Sequence, residues 1–259
     1  TSIFGCMTPI EPRLSVAIPV AGMAESAGLK RTLDGLFQMP NWDELEVLVQ
    51  VGSSDSGTFD PALTHHPCQP IWSFESDRGV YDAMNRMAKR ATGTRILFLG
   101  AGDVPLPGLS LAMLRWDSDP NQLEMGGVQL PDSEARVPDH YPPRWDRSLF
   151  WRNTAHHQGM AYPLSLLQAF GGFPEEFRVL GDYALSLDLF KSGVRAQWHA
   201  DEDWIQVQTG GLSRQFNAAL YQEEWALKKT RLPFGFVFIA QPIWIFGKAL
   251  WKMSAQRRA

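Results

Sequence analysis

The sequence has few of the residues that build disulfide-rich or zinc-binding proteins. Cysteine occurs only as Cys6 and Cys68 in 259 residues, which excludes a disulfide framework and a cysteine zinc cluster. The adjacent His156 and His157 have no H-E-x-x-H motif beside them, so a zinc site is not expected there. The opening residues TSIFGCM lack a basic-then-apolar signal pattern, and the predicted compartment is the cytoplasm.

Acidic residues are absent from the end of the sequence. No Asp or Glu follows Glu224, whereas seven Lys or Arg residues do. The chain has 28 acidic and 24 basic residues, so only 17 of the basic ones stand in residues 1–224. The net charge of −4 gives no indication of nucleic-acid binding. The sequence therefore combines an acidic body with a cationic tail.

Short apolar runs alternate with helical patterns in the first half of the chain. The runs predict buried parallel strands and lie at residues 14–19, 45–51, 71–74 and 96–99. Between them, apolar residues recur every three or four positions, as Leu29, Leu33 and Leu36 do. This order predicts a Rossmann-like α/β fold with a doubly wound, mostly parallel sheet.

Two acidic residues stand just after predicted strands. Asp77 follows the strand at 71–74, and Asp103 follows the strand at 96–99. In open α/β sheets, ligands bind in the crevice outside the carboxyl ends of the strands. We therefore expect Asp77 and Asp103 to face one crevice.

The segment around these residues resembles a known family. Residues 75–103, ESDRGVYDAMNRMAKRATGTRILFLGAGD, resemble the middle of the inverting, GT-A-fold family 2 glycosyltransferases, of the type that builds bacterial surface polysaccharides. The resemblance extends over roughly residues 13–230. It implies a GT-A domain at 1–230, with a nucleotide-binding half at 13–103 and an acceptor-binding half at 104–230. Residues 231–259 would form an amphipathic or helical extension.

The resemblance implies an inverting enzyme that moves one sugar from a nucleotide-sugar donor to a glycan or lipid-linked acceptor in cell-surface polysaccharide biosynthesis. No Q-x-x-R-W motif of the processive synthases occurs, so addition of a single sugar is predicted. Acidic residues typical of the family are missing at positions 50, 101 and 181, which leaves a non-catalytic nucleotide-sugar-binding relative as the alternative. A nucleotidyltransferase would need a basic, Gly-rich loop after the first strand, and PVAGMAES has no basic residue.

Two carboxylates carry the chemistry that the resemblance implies. Asp103 matches the last Asp of the family's D-x-D-type motif, and would bind the donor and a Mg²⁺ or Mn²⁺ ion. Asp103 could instead be only a turn residue. Asp182 matches the Asp of an acidic pair that opens a helix, and would be the base that deprotonates the acceptor hydroxyl. As a helix N-cap it could also face the cleft.

The resemblance assigns further residues to the two substrates. His157 and Gln158 match an H-Q pair near the donor or acceptor sugar. The implied donor-binding residues, besides Asp103, are Pro19, Gln50, Ser53, Asp77, Arg78 and Asn85. Gln50 stands where the family carries an acid that contacts the nucleotide base, and a Gln side chain can donate and accept.

The cationic tail contains a broken apolar run. Residues 232–253 are rich in aromatic and aliphatic side chains, but Pro233, Gln241 and Pro242 interrupt a spanning helix. Aromatic rings and basic residues favour the headgroup region of an anionic bilayer. We therefore predict a peripheral protein at the cytoplasmic face of a membrane. The alternative is that the tail packs on the domain or forms a dimer contact.

Overall fold

The computed structural model describes residues 12–53, 61–116, 119–131, 139–208 and 218–242. The strands are β1 (Leu14–Val20), β2 (Leu45–Val51), β3 (Ile71–Phe74), β4 (Arg95–Phe98), β5 (Val104–Pro105), β6 (Gln122–Gln129), β7 (His140–Tyr141), β8 (Met160–Pro163) and β9 (Arg195–Gln206). The α-helices are α1 (Ser26–Phe37), α2 (Pro61–Thr64), α3 (Val80–Arg90), α4 (Pro107–Met113), α5 (Leu164–Ala169), α6 (Gly181–Lys191) and α7 (Ala218–Arg231).

One sheet runs through the described part of the chain. Its strand order is β3-β2-β1-β4-β8-β6-β9-β5, and β7 pairs with β6. The first four strands are parallel, β8 is antiparallel to both of its neighbours, and β6 and β9 are again parallel. The predicted α/β fold with a mostly parallel sheet is therefore confirmed.

Helices cover both faces of this sheet. Val16 and Ile18 of β1 pack in the apolar cluster that contains the buried residues of α1 and α4. Ala17, which points to the other face, packs in the cluster that contains those of α3, α5 and α6. A strand buried on both faces needs apolar residues at successive positions, which explains the uninterrupted run in β1.

The second half of the sheet contains an irregular strand that sequence periodicity does not predict. β9 pairs with β6 on both sides of a register shift: Gly126 lies opposite His199, whereas Gly127 lies opposite Asp203. The strand thus bulges at residues 200–202, which include the first two of three consecutive acidic residues, Asp201, Glu202 and Asp203. Glu202 pairs with Arg115, and Asp203 accepts hydrogen bonds from Gln129 and His140.

The chain beyond β9 continues into α7 and a π-helical turn, Phe236–Ala240. No helix among the described residues is both long enough and apolar enough to span a bilayer. Residues 243–259 of the predicted extension lie outside the described part of the chain, as do residues 209–217.

Candidate active site

Asp182 stands in the first turn of α6 and lines a cavity. It is the second residue of the helix, because α6 begins at Gly181 and the capping position is occupied by Leu180. The prediction that Asp182 caps the helix is therefore wrong by two positions. Its carboxylate still accepts the backbone N–H of Tyr183 at 2.8 Å. The residue is only 8% exposed, so the carboxylate is held in one orientation.

Three side chains lie within hydrogen-bond distance of the Asp182 carboxylate. His157 Nδ1 lies 3.1 Å and Asn153 Nδ2 3.4 Å from its Oδ2, and the Tyr81 hydroxyl lies 3.3 Å from its Oδ1. Burial opposes ionisation, but the hydrogen bond and charge of His157 outweigh it, and the pKa of Asp182 is lowered from its ordinary value. The Asp182 carboxyl group is therefore held in its ionised form.

The glycine before Asp182 explains one departure from the family pattern. A Cβ atom on Gly181 would lie 2.7 Å from the Tyr81 ring, so the acidic residue expected there does not fit. Burial raises the pKa of Tyr81 well above its usual range, and its neutral hydroxyl donates to Val179 O at 2.6 Å. Gly181 thus makes room for the ring whose hydroxyl contacts Asp182.

Asp103 closes the turn after β4. Its Oδ2 accepts the N–H of Gly100 at 2.6 Å, and its Oδ1 accepts the N–H of Gln208 at 3.0 Å. The residue is 2% exposed, and burial raises the pKa of its carboxyl group. Gly102 adopts φ of +111°, and a side chain there would overlap the Gln208 amide. The residues that follow β9 therefore cover the turn that carries Asp103.

Thr32 of α1 also holds this turn, and no motif in the sequence points to this residue. The Thr32 side chain is fully buried, and its hydroxyl accepts the N–H of Gly102 at 2.8 Å. Thr32 lies close to Gly102 because α1 packs against the turn. The packing is so close that a Cβ on Gly28 would lie 2.9 Å from Ala101 O.

One short turn connects the two carboxylates. The 3₁₀ turn His157–Gly159 precedes β8. His157 contacts Asp182, and the next residue, Gln158, donates to Asp103 Oδ2 at 3.4 Å. The site thus brings together the four residues that the resemblance assigned to the base, the metal and the sugars.

The donor-side residues lie at the carboxyl ends of the parallel strands. Asp77 Oδ1 accepts the N–H of Gly79 at 3.0 Å, and its other oxygen would lie 2.7 Å from a Cβ on Gly52. Ser53 stands two residues after the end of β2, and Pro19 is a half-buried residue near the end of β1. Asp77, Ser53 and Pro19 therefore share the edge of the sheet where a ligand crevice is expected.

Gln50 does not face this edge. The side chain is fully buried, its oxygen accepts from Arg90 Nη2 at 2.9 Å, and its nitrogen donates to Glu75 O at 3.1 Å. With both ends of the amide paired inside the protein, Gln50 ties α3 to β2 and β3 in this conformation. Its contact with a nucleotide base stays a prediction.

Asn85 is also paired inside the protein, and its contact with the donor stays a prediction. Its Nδ2 donates to Phe173 O at 2.8 Å, and its Oδ1 accepts the N–H of Phe173 at 2.7 Å. Both bonds fix the turn after α5 to α3. Arg78 lies at the outer rim instead, with a side chain 75% exposed, and it pairs with Glu175 at 2.6 Å and Asp82 at 3.3 Å.

A cavity of about 300 Å³ opens in front of Asp182. One part of its wall carries the polar groups described above, namely Asp182, His157, Gln158 and Asn153. The opposite part combines Tyr141, Leu130 and Val207 with Leu220 and Glu224 of α7. The cavity can therefore place a hydroxyl-bearing ligand next to an ionised carboxylate.

No known family model matches the chain. The chain is 34% identical over 187 residues to a protein named PGL/p-HBAD biosynthesis glycosyltransferase from Mycobacterium bovis, a match that covers 70% of this chain and 71% of that protein. A protein of the same name from Mycobacterium tuberculosis gives the same values.

Two solved structures have a similar fold. The structure of S. aureus TarS in complex with UDP-GlcNAc matches with a TM-score of 0.65 at 15% identity, and the match covers 83% of this chain but only 65% of that one. The mannosyltransferase PcManGT from Pyrobaculum calidifontis, in complex with GDP-Man and Mn²⁺, matches with a TM-score of 0.60 at 21% identity over 96% of this chain and 76% of that one.

Proposed function

The chain belongs to the family of the mycobacterial PGL/p-HBAD biosynthesis glycosyltransferases, and its fold is of the GT-A type. From this premise we propose that it transfers one sugar, with inversion, from a nucleotide-sugar donor to a glycan or lipid-linked acceptor in surface-glycan biosynthesis. The observation that carries the proposal is the turn His157–Gly159, whose adjacent side chains contact Asp182 and Asp103.

Asp182 is the base of the proposed reaction. The acceptor hydroxyl enters the cavity and gives its proton to the Asp182 carboxylate while its oxygen attacks the anomeric carbon of the donor sugar. The bond from that carbon to the diphosphate breaks, and the electron pair leaves with the nucleoside diphosphate. Because this is one displacement from the opposite face, the anomeric configuration inverts. His157 keeps the carboxylate ionised and oriented.

The donor occupies the crevice at the carboxyl ends of β1 to β4 in this proposal. Asp77, Ser53 and Pro19 would contact the nucleoside side, and Arg78 would approach the phosphates from the rim, in exchange for its present carboxylate partners. Gln158 would contact the sugar between the two carboxylates. The complexes of the structural neighbours with UDP-GlcNAc and GDP-Man support a donor of this class.

Asp103 would hold a divalent cation, as the Mn²⁺ in the PcManGT complex suggests. No cluster of three or more His, Cys, Asp or Glu side chains in the described ranges could bind a metal, so diphosphate oxygens and waters would complete the coordination, as Mg²⁺ allows. The residues fit this role, because Gln158 contacts Asp103 through its side-chain nitrogen. The side-chain oxygen of Gln158 is buried and has no hydrogen-bond partner among the described residues, so it could supply a second oxygen ligand. Bound there, the ion would neutralise the leaving diphosphate.

Turnover with a panel of UDP-, GDP- and dTDP-sugars tests the proposed function. We expect release of nucleoside diphosphate with one donor class, and a product whose new glycosidic bond has the opposite anomeric configuration to the donor, measured by NMR. Tight nucleotide binding without turnover of any donor would instead favour a non-catalytic relative. Retention of configuration would reject the single-displacement mechanism.

We further propose that the protein docks on the cytoplasmic face of a membrane through an aromatic patch. The patch consists of Tyr221, Trp225, Phe234, Phe238 and Ile239, which are between 38% and 73% exposed. The opposite face of the same segment packs on the domain: Val237 is fully buried, and the Phe236 ring lies 4.5 Å from that of Trp151. The described part of the tail, up to residue 242, thus has one packed face and one exposed face.

Charge and position favour a bilayer as the partner of this patch. Seven basic and no acidic residues follow Glu224 in the sequence. Lys228 and Arg231 pair with acidic residues of the protein, and the charge of the other five suits an anionic lipid surface. Tyr221 and Trp225 of the patch stand next to Leu220 and Glu224, which line the cavity. A lipid-linked acceptor could therefore pass from the membrane to Asp182 along α7.

Replacing Phe234 and Ile239 together by Ser is expected to abolish binding to anionic vesicles. Each side chain would contribute roughly 2 kcal/mol when buried in a bilayer, so the affinity should fall by well over tenfold. The measurement is co-sedimentation, with release of the wild type by salt. Leu114→Ser is the matched control, because Leu114 is 65% exposed outside the patch. Equal sedimentation of all three proteins would reject the patch as the docking surface.

A further inference from the structure

The start of helix α6 is held by a residue of another helix. Among the described residues, Leu180 at the capping position makes no side-chain cap hydrogen bond. The carboxylate of Glu223 on α7 supplies the acceptor instead. Its Oε1 accepts the N–H of Val179 at 2.8 Å and the N–H of Leu180 at 2.7 Å. Glu223 thus accepts the N–H of the N-cap residue, as the Glu of a capping box does, from 43 positions further along the chain.

The segment that Glu223 holds leads directly into Asp182. Val179 is fixed at both of its backbone polar groups, because its carbonyl oxygen accepts the Tyr81 hydroxyl at 2.6 Å while its N–H donates to Glu223. The same Tyr81 hydroxyl lies 3.3 Å from the Asp182 carboxylate. The position of Asp182 is therefore determined from α3 on one side and from α7 on the other.

Helix α7 is itself firmly attached to the wall of the site. Lys228 is 3% exposed, and its Nζ donates to Trp151 O at 2.8 Å and to Glu224 at 2.5 Å. Arg231 Nε donates to Asp188 of α6 at 3.0 Å. Glu223 is thus presented by a helix that cannot easily shift relative to α6.

We propose that Glu223 is a positioning residue for the transfer reaction, which acts by fixing the turn that carries Asp182 and touches neither substrate. The inference rests on the proposed role of Asp182 as the base. A carboxylate base must lie within hydrogen-bond reach of the acceptor hydroxyl, and small displacements from that geometry reduce the rate strongly. No motif of the sequence points to Glu223, because the contact joins segments that are distant in the chain.

Glu223→Ala removes the acceptor of both amides, whereas Glu223→Gln keeps an oxygen at the same position. We expect kcat of the Ala variant to fall by roughly 10- to 100-fold, with the KM for the donor changed less than twofold. The Gln variant should recover most of the lost rate. Gln222→Ala, at the neighbouring exposed position of α7, is the control and should match the wild type.

Amide hydrogen exchange gives a second result that does not depend on activity. The amides of Val179 and Leu180 should exchange faster in Glu223→Ala than in the wild type, and Glu223→Gln should retain most of the protection. If the wild type transferred no sugar, this measurement would still test the hydrogen bonds. A Glu223→Ala protein with wild-type kcat, or a Gln variant as slow as the Ala variant, would overturn the positioning role.

Discussion

Asp182→Asn is expected to lower kcat by roughly 10²–10⁴-fold while the affinity for the donor stays nearly unchanged. An Asn side chain has almost the same shape and can still accept the N–H of Tyr183, but it cannot take up a proton. The wild-type carboxylate is ionised because His157 outweighs the effect of burial on its pKa. The amide therefore removes the base without emptying its place in the cavity.

Steady-state kinetics with separate variation of donor and acceptor would measure this effect. Asp43→Asn is the control for the same substitution, because Asp43 is exposed and does not line the cavity. A near-wild-type rate for Asp182→Asn would transfer the role of the base to another residue. Glu224 would be the next candidate, because it lines the cavity, whereas Glu202 and Asp203 do not.

Asp103→Ala is expected to abolish transfer and to weaken metal-dependent binding of the nucleotide. The substitution removes the proposed cation ligand and also leaves the N–H groups of Gly100 and Gln208 without their acceptor. The expected stability loss is about 1–3 kcal/mol for each unsatisfied amide. Asp34→Asn, on the surface of α1, is the control for a lost carboxylate.

Nucleotide binding measured with and without Mn²⁺ separates the two effects of this substitution. If Asp103 holds the ion, the folded variant should bind the nucleotide equally well with and without Mn²⁺, and EDTA should inactivate the wild type. Full wild-type turnover in EDTA would reject the metal role and leave Asp103 as a residue that only closes the turn.

The fold was predictable from the sequence where the physical signal is local. The apolar runs of β1, β2 and β4 are buried on both faces of the sheet, so they are visible as runs. β9 could not be recognised in this way, because its bulge places charged residues in the strand and their partners come from Arg115, Gln129 and His140. Those partners are distant in the chain.

The candidate site was predictable only in part for a related reason. Motif position placed Asp182, Asp103, His157 and Gln158 together, and the structure shows them in contact as two pairs. Motif position did not indicate that Gln50 and Asn85 point into the protein, because a residue near a strand or helix end can point there as well as into the crevice. Arg90 and the backbone of Phe173 decide their orientation, and no local pattern encodes either contact.

The turn His157–Gly159 has a consequence for how substitutions in this protein combine. The side chains of His157 and Gln158 contact Asp182 and Asp103, respectively. A Cβ on Gly159 would lie 2.6 Å from the backbone of β6, so the turn has little room to move. One contact therefore cannot easily change without the other. Free-energy effects add only for sites that share no partners. Substitutions of Asp182 and of Asp103 are therefore expected to be thermodynamically coupled, so that the effect of either depends on whether the other is present.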